Sequence, residues 1–225
     1  MTSLPAVAYE KEVPYEVAQL AKYKHDVNAF FEDCVWTLNQ ARKDAPIMKY
    51  PSMEAKPYLY WIQNQMVDEP LIALVKHRRM IITWTYCGVA LHDAMFREGR
   101  FNALVSKKEE DSDDLVKRVK FIYDHIPEAK LPLKPAFRYK YTEFRSEETD
   151  SVVKGVASGK DQLRQYTCSR VGCDEMAFWP ACRDTYTALK PTLEGGGQVC
   201  LFSTRYPGFF QQIIDDTIDD DAVAA

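Results

Sequence analysis

Four short apolar runs, Leu71–Val75, Phe101–Ser106, Ser169–Cys173 and Val199–Phe202, alternate with longer segments of helical periodicity. Runs of this length cannot form core helices, and the intervening segments are long enough to cross back over a sheet. That alternation is the mark of βαβ units, so it predicts an α/β fold with a central, mainly parallel sheet flanked by helices. The crossover helices are predicted from about Pro57 to Met66, Thr83 to Arg97, Glu109 to His125 and Pro180 to Leu189. Glu98-Gly99-Arg100 supplies a glycine stop for the second of these. From Phe137 to Val156 apolar residues alternate (Tyr139, Tyr141, Phe144, Val152, Val153), which predicts an antiparallel β excursion. Upstream, Tyr15 to Arg42 lacks proline and glycine and carries Val17, Leu20, Val27, Phe31, Cys34, Val35 and Leu38 as one stripe. This reads as a long amphipathic helix with room for one break, ended by Pro46 and Pro51.

At 225 residues, with 46% hydrophobic and 28% charged residues, the chain can bury one large core, and a disordered or fibrous chain is excluded. It is read as a single domain: an N-terminal helical extension (1–50), a core (51–210) that carries the parallel sheet, and an acidic tail or linker (211–225). The formal net charge of −4 gives no global basic field, so any nucleic-acid contact must come from a local patch. The densest is Lys107, Lys108, Lys117, Arg118 and Lys120, interleaved with acids. The six cysteines have neither zinc-site spacing nor histidine partners and are expected to be small buried hydrophobes. No run of 18 apolar residues and no signal-peptide pattern is present, so a soluble, unexported protein is expected, with no membrane partner.

Polar groups follow three of the strands: Lys76 to Thr83, Asp174-Glu175 and Ser203-Thr204. Parallel sheets bind ligands outside the carboxyl ends of their strands, so these groups are expected to face one crevice. The first is a strand–loop–helix placed like a phosphate-binding loop. Thr83 fills the hydroxyl position that ligates Mg²⁺, whereas Lys76, Ile81 and Ile82 stand where that loop has glycine, glycine and lysine. Arg78 and Arg79 can supply the missing charge, and the helix N-terminus its backbone N–H groups. Asp174-Glu175, inside an apolar run, suits an ATPase that holds Mg²⁺ on one carboxylate and polarises water with the other.

Taken in order, these segments resemble the ATPase domain of the large terminase subunit, the motor that packages DNA into tailed-phage heads. The matching residues are Lys76-His77-Arg78-Arg79-Met80-Ile81-Ile82-Thr83-Trp84, Ser106-Lys107-Lys108-Glu109-Glu110-Asp111 and Gly159-Lys160-Asp161-Gln162-Leu163-Arg164. Cys173-Asp174-Glu175-Met176-Ala177-Phe178, Pro191 to Gly197 and Phe202-Ser203-Thr204 follow. The resemblance implies a P-loop NTPase of the ASCE type that binds ATP and Mg²⁺. Lys76 and Arg79 would contact the β- and γ-phosphates, Thr83 and Asp174 the metal, and Glu175 the attacking water. Ser203-Thr204 would sense the γ-phosphate, and Arg164 would act in trans on a neighbour's ATP. For the adenine, Tyr50, Tyr58, Trp61, Gln63 and Gln65 are all candidates; Trp61 is expected in the core and Gln65 at the base.

The family's RNase H-like nuclease is not matched, so the chain is read as an ATPase domain cut near its linker, or a split motor subunit. Implied partners are double-stranded DNA, the portal protein of the procapsid, the small terminase subunit and a nuclease on the same or another chain. A ring of identical subunits is implied when assembled and a monomer in isolation, in the host cytoplasm and transiently at the portal vertex. Two other readings stay open: a helicase-like DNA-remodelling ATPase, and a non-catalytic docking module decayed from an ATPase.

Overall fold

The computed structural model describes residues 13–39, 41–42 and 44–216. Two helices, α1 (Tyr15–His25) and α2 (Val27–Cys34), lead into a small antiparallel hairpin, β1 (Trp36–Leu38) and β2 (Ile47–Lys49), which pairs Trp36 with Lys49. The helix expected from Tyr15 to Arg42 has the one break its stripe left room for, and its end is corrected to Cys34. Asp26 breaks it, its carboxylate accepting a hydrogen bond from Ala29 N (2.9 Å) as the N-cap of α2. Beyond Cys34, the Val35-Trp36-Thr37-Leu38 run of β-branched and aromatic residues takes extended backbone instead of another helical turn.

The remaining elements are α3 (Pro57–Asp68), β3 (Leu71–Val75), α4 (Ile82–Phe96), β4 (Phe101–Ser106), α5 (Glu109–Asp124), β5 (Arg138–Lys140), β6 (Glu143–Ser146) and β7 (Ser151–Ala157). After them come α6 (Lys160–Arg164), β8 (Arg170–Asp174), α7 (Cys182–Glu194), β9 (Gln198–Ser203) and α8 (Phe209–Ile214). The seven-stranded sheet has the order β3-β9-β8-β4-β7-β6-β5. Its first five strands are mutually parallel, and β6 and β5 turn back antiparallel at one edge. The antiparallel excursion is thus smaller than the alternating sequence suggested, because β7 also joins the parallel array through β4. The strand at Leu71–Val75 is an edge, with Leu71 and Val75 exposed. Helix α7 runs through Pro191 to Glu194, beyond its expected end at Leu189. The acidic tail beyond residue 216 lies outside the described residues.

Period-2 alternation divides each central strand between two cores. Leu104, Cys200 and Phe202 face the layer built from α2 to α5, while Ala103, Val105, Val199 and Leu201 face α6, α7 and α8. The helix after the phosphate loop, α4, is buried almost all round, as a helix between a sheet and a second helical layer must be. Its seat on β8 depends on Gly172: a Cβ there would lie 1.9 Å from Tyr86 Cε1. Its far end is fastened by Asp93, which accepts from Arg100 Nε (2.8 Å) and is paired with Arg97 Nη1 (3.3 Å). Buried Arg170, at the start of β8, lies beside the same carboxylate and donates to Met66 O. All six cysteines are buried and unpaired. Among the described residues no helix is long and apolar enough to cross a membrane.

Candidate nucleotide site

β3, β9 and β8 are consecutive in the sheet, with Val75 opposite Ser203 and Phe202 opposite Asp174. Adjacent strands lie about 4.8 Å apart, so the residues leaving their carboxyl ends must meet. They do. Lys76 is buried, and its Nζ donates to Glu175 Oε1 (2.7 Å) and Thr83 Oγ1 (3.3 Å) and lies 3.3 Å from Asp174 Oδ1. Thr83 Oγ1 donates to Asp174 Oδ1 at 3.0 Å. The second oxygen of Glu175 accepts from Ser203 Oγ (3.2 Å), Thr204 N (3.0 Å) and Thr204 Oγ1 (3.1 Å). The expectation of one shared rim for the loop, the acidic pair and the hydroxyl pair describes this arrangement.

The backbone adds two features. Ile81 takes φ 64°, ψ 7° as the residue preceding α4, at the position where a standard loop has glycine, and Glu175 takes φ 52°, ψ 41°. Left-handed backbone at a β-branched residue costs on the order of 1–3 kcal/mol, and such strain concentrates at ligand-binding turns. No side chain caps α4, so its first-turn N–H groups are available to an anion. The turn itself is closed by His77 N donating to Met80 Sδ (3.3 Å) and Met80 N to His77 O (3.1 Å), and Lys76 N donates to Ser203 O (2.8 Å).

The two acids differ in electrostatics. Burial pushes the Asp174 carboxyl above its usual range and outweighs the opposing pull of Lys76; Glu175 beside it pushes the same way. For Glu175, burial is outweighed by the hydrogen bonds from Lys76 and Thr204, which hold the carboxyl below its usual range. The second is a carboxylate that stays ionised at neutral pH.

A divalent cation fits here on the donor set. Thr83 Oγ1 and Asp174 Oδ1 lie within hydrogen-bond distance of one another, with a lysine ammonium 3.3 Å from each. Among the described residues no cluster of three or more His, Cys, Asp or Glu side chains could hold a metal unaided. Mg²⁺ needs none, since it is usually bound by one or two carboxylates with phosphate oxygens and water.

Other expected site residues are dispersed. His77, Arg78 and Arg79 are exposed on the loop, with Arg78, Arg79, Ile81 and Trp84 lining a groove of about 1030 Å³. Arg164 is exposed at the end of α6, and among the described residues no hydrogen bond joins it to the cluster. Gln65 is placed away from the cluster: the residues just after it, Met66 and Val67, accept from Arg170 and Gln198 at the amino ends of β8 and β9. Trp61 is 61% exposed, correcting its expected place in the core, because α3 buries Leu59, Tyr60, Ile62, Gln63 and Met66 instead. Tyr50 is buried with its hydroxyl 2.8 Å from Thr85 Oγ1, and Gln63 is buried against Asn28.

Sequence reasoning left Arg118, on α5, in a surface cluster, yet it lines the same groove as the loop arginines. The signal was its place in the helix, on the stripe defined by Leu115, Val119 and Ile122.

No protein-family model and no curated protein matches this sequence. Solved structures do. A point-mutant form of the ATPase domain of the Thermus phage P74-26 large terminase aligns with a TM-score of 0.50 and 15% identity, over 63% of this chain and 62% of that one. The large terminase of bacteriophage HK97 aligns with a TM-score of 0.64 and 12% identity, over 89% of this chain and 42% of that one. The chain therefore spans less than two thirds of either relative. In the sheet, β9 is interposed between the loop-bearing β3 and the acid-bearing β8, the additional strand for which the ASCE class is named. This chain has the ASCE P-loop fold of the phage large terminase ATPase domains.

Proposed function

We propose that the chain is a Mg²⁺-dependent ATPase whose turnover drives double-stranded DNA into a procapsid. The observation that carries this reading is the meeting of Lys76, Thr83, Asp174, Glu175, Ser203 and Thr204 at the carboxyl rim of three adjacent strands. Lys76 and Arg79, with the uncapped first turn of α4, hold the β- and γ-phosphates of ATP. Thr83 and Asp174 hold Mg²⁺, which when bound neutralises charge on the phosphate oxygens. Glu175 accepts a hydrogen bond from the attacking water and aligns it with the γ-phosphorus, opposite the bridging oxygen that leaves with ADP. Catalysis is then positioning and charge stabilisation, as in other phosphoryl transfers.

Ser203 and Thr204 couple this step to the rest of the molecule. Their donors hold one Glu175 oxygen while Lys76 holds the other, so a phosphate that draws Lys76 away frees half the carboxylate. Arg164 serves a neighbour's site in an assembled ring. Double-stranded DNA, the portal protein, the small terminase subunit and a nuclease on the same or another chain are the partners of that assembly. Its place is the host cytoplasm, at the portal vertex.

The test is Glu175→Gln, assayed for phosphate release and for Mg·ATP binding. Turnover should be abolished with binding retained. Unchanged turnover removes Glu175 from the mechanism, and a wild-type protein that gives no saturable Mg·ATP binding removes the ATPase reading.

A further inference from the structure

The groove beside the phosphate loop extends from Arg78, Arg79 and Trp84 to α5 and to the β1–β2 hairpin. Its walls carry Lys49, Lys56, Arg78, Arg79, Lys117 and Arg118 against, among the described residues, a single acid, Asp114. That acid is taken: Lys117 is held by Asp113 (2.9 Å) and Asp114 (3.0 Å). Arg118 differs from its neighbour. It is half-buried, and among the described residues it makes no hydrogen bond and no ion pair. Its guanidinium lies over the indole of Trp84, 5.7 Å from the ring centroid, and Trp84 in turn meets Phe121 edge-on at 5.5 Å. Trp84 follows Thr83, whose hydroxyl donates to Asp174, and Arg118 is among the charges that oppose the effect of burial at Asp174.

A guanidinium over an indole face is attracted by the ring, and with no hydrogen bond of its own its N–H groups are free to donate. Lining the groove with no carboxylate partner among the described residues, it suits a phosphate oxygen, to which its planar fork can donate twice.

We infer that Arg118 is a γ-phosphate-binding residue of the nucleotide site, supplying in cis, from α5 instead of from the loop, the charge that Ile82 cannot provide at the usual lysine position. The inference rests on the ATPase reading above and adds a residue to it. The β- and γ-phosphates are then gripped from two sides, by Lys76 from the sheet and by Arg118 from the helical layer. Because the second grip reaches the terminal phosphate, Arg118 distinguishes ATP from ADP.

Fluorescent ATP and ADP analogues, titrated with Mg²⁺ against wild type, Arg118→Ala, Arg118→Lys and Lys117→Ala, test this. Arg118→Ala should weaken ATP binding on the order of tenfold or more and ADP binding little, collapsing the preference for ATP. Arg118→Lys should restore part of that preference, and Lys117→Ala should keep it. An unchanged ratio in Arg118→Ala, or equal loss of both nucleotides, overturns the assignment while leaving the ATPase reading intact. Failure of the wild type to bind either nucleotide overturns the ATPase reading itself, and this inference with it.

Discussion

Replacing Lys76 by methionine probes the cluster at its centre. The side chain is 7% exposed and faces Asp174 (13% exposed) at 3.3 Å and Glu175 (35% exposed) at 2.7 Å. Removing one partner of a buried ion pair costs about 3–5 kcal/mol, because a charge is left without compensation. Glu175 is exposed enough for water to screen part of its loss, which brings the expected destabilisation to about 2–4 kcal/mol. For a chain of this size that lowers Tm by roughly 5–15 °C. The pH dependence has a definite sign. Asp174 is already held above its usual range by burial, so without Lys76 its proton is retained to still higher pH in the folded state. A carboxyl raised on folding stabilises the native state at low pH and ceases to do so as pH rises through its folded value. Glu175, lowered on folding, stabilises above its unfolded value, and the variant forfeits the share that Lys76 provides. Both effects make the gap between wild type and Lys76→Met widest at neutral pH and narrower as pH falls toward 4. Thermal melts of both proteins across that range, with Lys76→Met/Asp174→Asn as the compensating variant, measure it. Equal melting at neutral pH, or a gap that widens on acidification, refutes the argument.

Three further outcomes are expected. Gly172→Ala forces its methyl into Tyr86, so α4 must shift off β8; a loss of about 1–3 kcal/mol in denaturant unfolding is expected, and wild-type stability would show that the helix is not seated there. Burial lowers the His92 imidazole to about 4, so between roughly pH 6.5 and 4 the unfolded chain binds a proton that the folded chain does not, and stability falls with pH in that window. His92→Gln, which can still donate to Tyr23 O, should flatten that slope in urea unfolding at pH 7 and pH 5; an unaltered slope removes His92 from the acid response. Arg164→Ala should leave nucleotide affinity near wild type and depress ATPase rate only where subunits assemble, on the order of 10³-fold or more for a trans arginine. Equal loss in dilute monomer would contradict action on a neighbour.

The strands were the most legible part of the sequence. Leu71–Val75 and Phe101–Ser106 are bounded in the structure as their apolar runs are bounded in the sequence, and the order of polar groups after them implied a common rim. Exposure was less legible, since an apolar strand at a sheet edge reads like one at its centre. Trp61 likewise gave no local sign of which face of α3 would be covered. The N-terminal hairpin was hidden because its strands are three residues each and pair only with one another. The site was legible where sequence neighbours share a loop, as with Asp174 and Glu175, but not where α5 brings Arg118 onto Trp84 from 34 positions away in the chain. The left-handed turn at Ile81 was invisible for a related reason: the loop adopts a glycine conformation without the glycine.

The interposition of β9 carries a consequence for how such a chain can diversify. Each of the three site-bearing strands is laterally braced by the ladder, with β9 as the shared rail, so the spacing of their termini is inherited from main-chain geometry instead of from side-chain choice. A proline at Leu201 would sever that rail and dismantle sheet and site together. The β5–β6 margin, with β4 and β7 between it and β8, can lengthen, shorten or change its charge while the rim keeps its form.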